Sequence, residues 1–225
     1  MYEFSLRAIS AYFGGIPGGI AVTLWLSLLT IFFSTLIGMV GAVFRTSDVK
    51  ALQVLGAVYV EVLRNIPLLV VIYLVYFGLA QIGLRVDNFN SALIALTLNA
   101  GSYMTEIFRG GLASIGRGQY EAARSQGMTT VQMYRLVIFP QVFRVIYPPL
   151  GNLFIGIVIG SSLASVIGVN DLAQWMHMAG NESFRYMETF LVAGIIYVVL
   201  CQSINVGRLL IGRWLLRSAP GRHRQ

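Results

Sequence analysis

The sequence predicts an all-α integral membrane protein with five transmembrane helices, and three observations predict it. The first is composition: 56% of the 225 residues are hydrophobic, only 11% are charged, and the mean hydropathy is +0.73, outside the range of a soluble domain. The second is the spacing of charge. Runs free of Asp, Glu, Lys and Arg extend over 8–44, 65–84, 88–105, 145–170 and 189–207, each long enough for a helix to cross roughly 30 Å of hydrocarbon. The third is the distribution of the sixteen basic residues. Alternating the connections puts twelve of them on one side: Arg45 and Lys50; Arg109, Arg117, Arg124, Arg135 and Arg144; Arg208, Arg213, Arg217, Arg222 and Arg224. Arg7, Arg85 and Arg185 fall on the other side, with Arg64 near a helix end. The positive-inside rule makes the richer side cytoplasmic, so the N-terminus is expected outside and the C-terminus inside.

The first span is expected over about 20–44, because Gly14, Gly15, Pro17, Gly18 and Gly19 break the start of its apolar run. A short helix over 51–64 leads to Pro67 and a second span over about 67–83. The third span covers about 88–108, the fourth about 145–167 and the fifth about 188–210. The longest cytoplasmic connection, about 116–140, lies between the third and fourth. The whole chain, 1–225, reads as one transmembrane domain. Its first ten residues carry one Arg and one Glu ahead of a full-length span, which is not the pattern of a cleaved leader.

Several chemistries lack the residues they need. Cys201 has no partner cysteine, and His177 and His223 lie far apart with no metal-ligand spacing. The net charge of +7 is mostly the topogenic excess, so no nucleic-acid partner is expected. The sole lysine, Lys50, precedes Ala51, so there is no Gly-Lys-Ser/Thr loop to hold nucleotide phosphates. No paired carboxylates or nucleophile–base set suggests covalent catalysis. Energy and initial substrate capture are expected from other chains.

The 116–140 connection reads Gln119-Tyr120-Glu121-Ala122-Ala123-Arg124-Ser125-Gln126-Gly127 and ends Val137-Ile138-Phe139-Pro140. Helix formers over 120–126, a stop at Gly127 and a second helical segment running to Pro140 predict two short helices on the cytoplasmic face. This connection resembles the EAA loop of ABC importer permeases: Glu-Ala-Ala, three residues, Gly, nine residues, an aliphatic, one residue, an apolar residue and Pro. Every spacing holds, with Val137 and Phe139 in place of the usual Ile and Leu. The segments Glu61–Leu69, Leu98–Tyr103 with Glu106–Gly110, Pro148–Asn152 and Ser162–Gly168 look like the polar amino-acid permeases of the histidine, glutamine, glutamate, arginine and opine systems.

The resemblance covers nearly the whole chain. It implies a type I ABC importer permease fold in the bacterial inner membrane and a transport subunit for polar amino acids, with opines or another small polar solute as the alternative cargo. Implied partners are a second permease subunit, identical or different, two ATPase subunits carrying ATP and Mg, and an extracytoplasmic substrate-binding protein. Glu121, Ala122, Ala123, Gly127 and Pro140 would couple to the ATPase: the alanines allow close approach, and Glu121 accepts hydrogen bonds. A secondary transporter would instead show inverted repeats, broken midplane helices and ionisable relays, and would leave the Glu121-to-Pro140 pattern unexplained.

Two charge pairs stand at i, i+3 near membrane boundaries, Glu61 with Arg64 and Glu106 with Arg109. Each can meet on one helix face and lessen the cost of charge near lipid. Asn99, Ser102 and Thr105 form one stripe of the third span. Asn152, Gly156, Gly160, Ser161, Ser162 and Ser165 decorate the fourth. These residues suit either a substrate path or helix–helix packing; the resemblance favours a path between the third and fourth spans. Where relatives tend to carry charge, this chain has Leu153, Ile159 and Gly160, which implies a neutral or acidic cargo rather than a cationic one.

Overall fold

The computed structural model describes residues 3–217, and every regular element among them is helical. A 3-10 segment, Leu6–Gly15, leads into α1 (Ile16–Thr46), followed by α2 (Lys50–Asn65), α3 (Leu68–Gln81), α4 (Asn88–Ala113), α5 (Arg117–Ser125) and α6 (Thr130–Met133). A π-turn, Tyr134–Ile138, joins α6 to α7 (Phe139–Ser161), and a second 3-10 segment, Ser162–Ile167, precedes α8 (Leu172–Ser183) and α9 (Tyr186–Arg217). The expected basic residues Arg222 and Arg224 lie outside the described residues.

The first helix starts earlier than the glycines and proline suggest. Pro17 falls in the first turn, where its missing N–H would have been unpaired anyway. Gly19 then serves close packing: a Cβ there would stand 3.0 Å from the Cα of Leu172.

The break between α2 and α3 follows the expected logic. Ile66 is extended, at φ −94° and ψ 131°, because a residue before proline is pushed out of the helical region. The two helix axes bend by 106°. Pro67 cannot donate to the carbonyl of Leu63, four residues back. Asn99 of α4 supplies the missing donor, its Nδ2 lying 2.8 Å from the Leu63 oxygen.

Three helical runs are long and apolar enough to cross a membrane: Leu6–Thr46, Thr130–Ile167 and Tyr186–Arg213; the bent α2–α3 pair makes a fourth if it acts as one span. The expected span over 88–108 is not among them. At 26 residues, α4 is about 39 Å long, but Asn90, Ser91, Thr97, Asn99, Ser102 and Thr105 dilute its apolar character. It packs against α1, α2, α3 and α7, so much of its polar surface meets protein.

The α1–α4 seam is built from small residues. Ser27, Thr30, Ser34, Gly38 and Gly41 of α1 are buried, as are Ala95, Ser102 and Thr105 of α4. A Cβ on Gly38 would collide with the Cβ of Met104, and one on Gly41 with the hydroxyl of Thr105. Two backbones that close can exchange dispersion contacts along their length, the usual means by which helices associate in lipid.

At the end opposite α5, the N-terminal segment is tied to α8 and α9. Trp175 Nε1 donates to the Tyr12 carbonyl at 2.8 Å, and the Ser5 N–H donates to buried Glu188 at 3.1 Å. Arg185 pairs with Glu188 at 3.2 Å.

Candidate functional site

Between α4 and α7 the chain leaves the bundle as α5, turns and returns. Gly127, at φ +72°, closes α5. Its N–H donates to the Arg124 carbonyl at 2.9 Å, and the Met128 N–H reaches the Ala123 carbonyl at 3.2 Å. This paired closure requires a left-handed residue. Thr129 then starts α6 with a reciprocal cap, accepting from the Gln132 N–H while Gln132 Oε1 accepts from the Thr129 N–H.

The two faces of α5 differ. Ala123 is buried against Met133, Ile138, Val142 and Ile146, so it anchors the helix to the body. Glu121 and Ala122 are exposed, leaving a carboxylate and a methyl on the free face. The second short segment does not stop at Pro140, as the sequence led us to expect. The Phe139 N–H reaches back five residues to Tyr134, and the widened turn accommodates the proline ring that would strike a carbonyl in a regular helix. The helical run continues from Thr130 to Ile167. Pro140 itself is exposed.

The two i, i+3 pairs behave differently. Glu106 grips Arg109 through two N–H donors, the shorter at 2.7 Å, and also accepts from Arg45 of α1 at 3.2 Å. In the sequence Arg45 stands out only as a topogenic charge, and nothing local brings it to Glu106 across 61 residues. No ion pair among the described residues joins Glu61 to Arg64. The Arg64 guanidinium lies instead 5.0 Å from the ring centroid of Tyr103, a cation–π contact.

The residues expected along a substrate path separate into two sets. Ser102 and Thr105 are fully buried in the seam and donate to their own helix, to the Asn99 and Gly101 carbonyls. Asn99 spends its amide on the α2 break, and buried Ser161 bonds the Val158 carbonyl. Asn152 and Gly156 are exposed on one face of α7 together with Ile159. Gly160 is half-buried beside Leu68 at the start of α3. Ser162 lines a groove of about 390 Å³ between α7 and α9 with Ile159, Tyr197 and Cys201. A separate cavity of about 330 Å³ lies between the end of α2, α4 and α7, lined by Arg64, Tyr103, Glu106 and Pro149 among others.

Asp171 carries no signal in the sequence that marks it out. It caps α8 by accepting from the Gln174 N–H at 2.8 Å, yet its Oδ2 is buried with no partner. Burial pushes its carboxyl up to about 6.

Residues 34–217 match the family model described as "Binding-protein-dependent transport system inner membrane component". The chain is 36% identical over 185 residues to the probable glutamine ABC transporter permease protein GlnM of Bacillus subtilis, covering 82% of this chain and 86% of that one. It is 33% identical over 183 residues to the arginine transport system permease protein ArtQ of the same organism, covering 81% and 84%. A solved structure described as an amino acid ABC transporter with histidines superposes with a TM-score of 0.87 at 33% identity, covering 94% of this chain and 99% of that one.

Proposed function

The chain belongs to the family of binding-protein-dependent transport system inner membrane components, and from that premise we infer that it is the permease subunit of an ATP-driven importer of polar amino acids in the bacterial inner membrane. The observation that carries the reading is α5: a nine-residue helix standing off the bundle, anchored by Ala123, closed by Gly127 and open at Glu121 and Ala122. This is a rigid knob suited to a cleft in another protein. An ATPase subunit seated there, with its own ATP and Mg, would move α5 and, through the continuous α6–α7 run, the wall that carries Asn152 and Gly156. The motion is a shift between outward- and inward-open populations driven from outside the membrane.

The full assembly under this reading has two permease subunits, two ATPase subunits and an extracytoplasmic binding protein. This chain contributes five spans, through α1, the bent α2–α3 pair, α4, α7 and α9, with its N-terminus outside and its C-terminus inside. Neither exposed Ile159 nor half-buried Leu153 and Gly160 of α7 offers a carboxylate, so a neutral or acidic amino acid fits this helix better than arginine or lysine, whose charge would stand unpaired at depth.

The test is ATP hydrolysis by the purified complex with its binding protein, measured against each amino acid in turn. One or a few polar amino acids should stimulate hydrolysis, and Glu121→Lys should abolish the stimulation while the chain still inserts. Hydrolysis indifferent to every amino acid, or unchanged in the variant, would overturn the reading. A cytoplasm-only reporter should be active after Gln225 and silent at Asp87 and Glu182; activity at either of the latter reverses the topology.

A further inference from the structure

The 330 Å³ cavity on the α5 side of the bundle has an unusual wall. Ile107, Val145, Ile146 and Pro149 give it apolar lining, and Arg64, Tyr103 and Glu106 bring polar groups to it. Its charge is unbalanced. Glu106, with only 18% of its side chain exposed, already faces Arg45 and Arg109, and Arg64 brings a third guanidinium with no ion-pair partner among the described residues. The ring of Tyr103 holds that guanidinium at 5.0 Å. A stacked guanidinium keeps its N–H edges free to donate, and two parallel N–H groups match the two oxygens of a carboxylate. A cavity of this size lies at the lower end of small-molecule sites, and a largely apolar wall with a few convergent polar groups is their usual composition.

We propose that this cavity is a transit site on the inward half of the pathway, where Arg64 grips the α-carboxylate of the amino acid and the apolar lining accepts its side chain. This rests on the importer reading above and deepens it. The positive surplus around the cavity favours a group common to every α-amino acid, so the site is indifferent to neutral side chains and adds to the disfavour toward cationic ones.

The assembled permease–ATPase complex in lipid nanodiscs, without binding protein, is titrated with L-glutamine, L-glutamate and L-arginine and with the α-amides of the same three, binding being read by saturation-transfer NMR. The glutamine and glutamate acids should bind and their α-amides bind about tenfold more weakly; Arg64→Gln should erase that difference, and Arg64→Lys should keep part of it, because an ammonium attracts the carboxylate without the fork. Failure of the acids to bind, equal binding of acids and amides, or an acid preference that survives Arg64→Gln overturns the proposal. The wild-type comparison needs no variant to fold. Hydrolysis stimulated by loaded binding protein, measured on the same preparation, reports separately on the importer reading.

Discussion

At the α1–α4 seam, Gly38 and Gly41 stand where a side chain has no room, whereas Gly127 at the end of α5 stands in open space with φ at +72°. The same residue meets opposite demands. In the seam the backbone is helical and the constraint is size; at the loop nothing crowds the position and the constraint is handedness. Under the proposed function, the difference separates the part of the molecule that holds together in lipid from the part that presents a helix to a partner. It predicts that damage to the seam shows as instability, and damage to the loop as lost coupling in an otherwise sound protein.

Gly38→Val should have the largest effect. Its side chain would drive α1 away from Met104, and overpacking of this kind costs about 1–3 kcal/mol or more. We expect little folded protein after detergent extraction, read by size-exclusion fluorescence; a normal yield would show that the seam tolerates separation. Glu106→Gln comes next. It leaves Arg45 and Arg109 facing one another without their carboxylate, and losing hydrogen bonds to a charged group costs roughly 1.5–3 kcal/mol, to be read as a lowered melting temperature. Arg45→Gln should cost less, because Arg109 still holds Glu106.

Asp171 gives a smaller effect with a sign that depends on pH. Its folded carboxyl lies near 6, above the ordinary 3.8, so its contribution is fully present below the unfolded value and is lost as pH rises through about 6. The wild type should therefore melt lower at pH 8 than at pH 5. Asp171→Asn keeps a capping oxygen, removes the buried charge and should narrow that gap by up to about 1.4 kcal/mol, one pKa unit. Gly127→Val should move the melting temperature by a similarly small amount, since a left-handed β-branched residue costs about 1–2 kcal/mol at an exposed turn. Its stimulated hydrolysis and uptake should nevertheless fall sharply. A variant that melts and transports normally would remove the distinction between seam and loop.

Much of this was legible in the sequence. Long apolar runs announced α1, α7 and α9, and Pro67 announced the α2–α3 break. The Glu121-to-Gly127 spacing announced a helix and its stop, and the glycine did adopt the left-handed cap. What escaped depends on contacts between distant segments. Composition shows that Ser102 and Thr105 share a stripe, but not that the stripe faces α1, because small polar residues serve a pore and a seam equally well. Spacing allows Glu61 and Arg64 to meet, but Tyr103, thirty-nine residues away from Arg64, competes and holds the arginine. The π-turn before Pro140 has no local signature, since a proline reads as a stop unless the preceding turn widens.

The bond from Asn99 to the Leu63 carbonyl bears on which joints can work. A proline break with an unmet carbonyl would flex, for the last turn of α2 could fray or re-form at little cost. Here the orphan oxygen is bolted to the neighbouring helix, so α2, its elbow and α4 travel as one bracket, and α1 is welded to that bracket along the glycine seam. Under the proposed function, whatever rocks must turn about the edges of that bracket, where α7 passes into its 3-10 segment, because the Arg45–Glu106–Arg109 clasp adds a further tie between α1 and α4. Asn99→Leu would loosen the elbow and give the machine a spare hinge that it was built without.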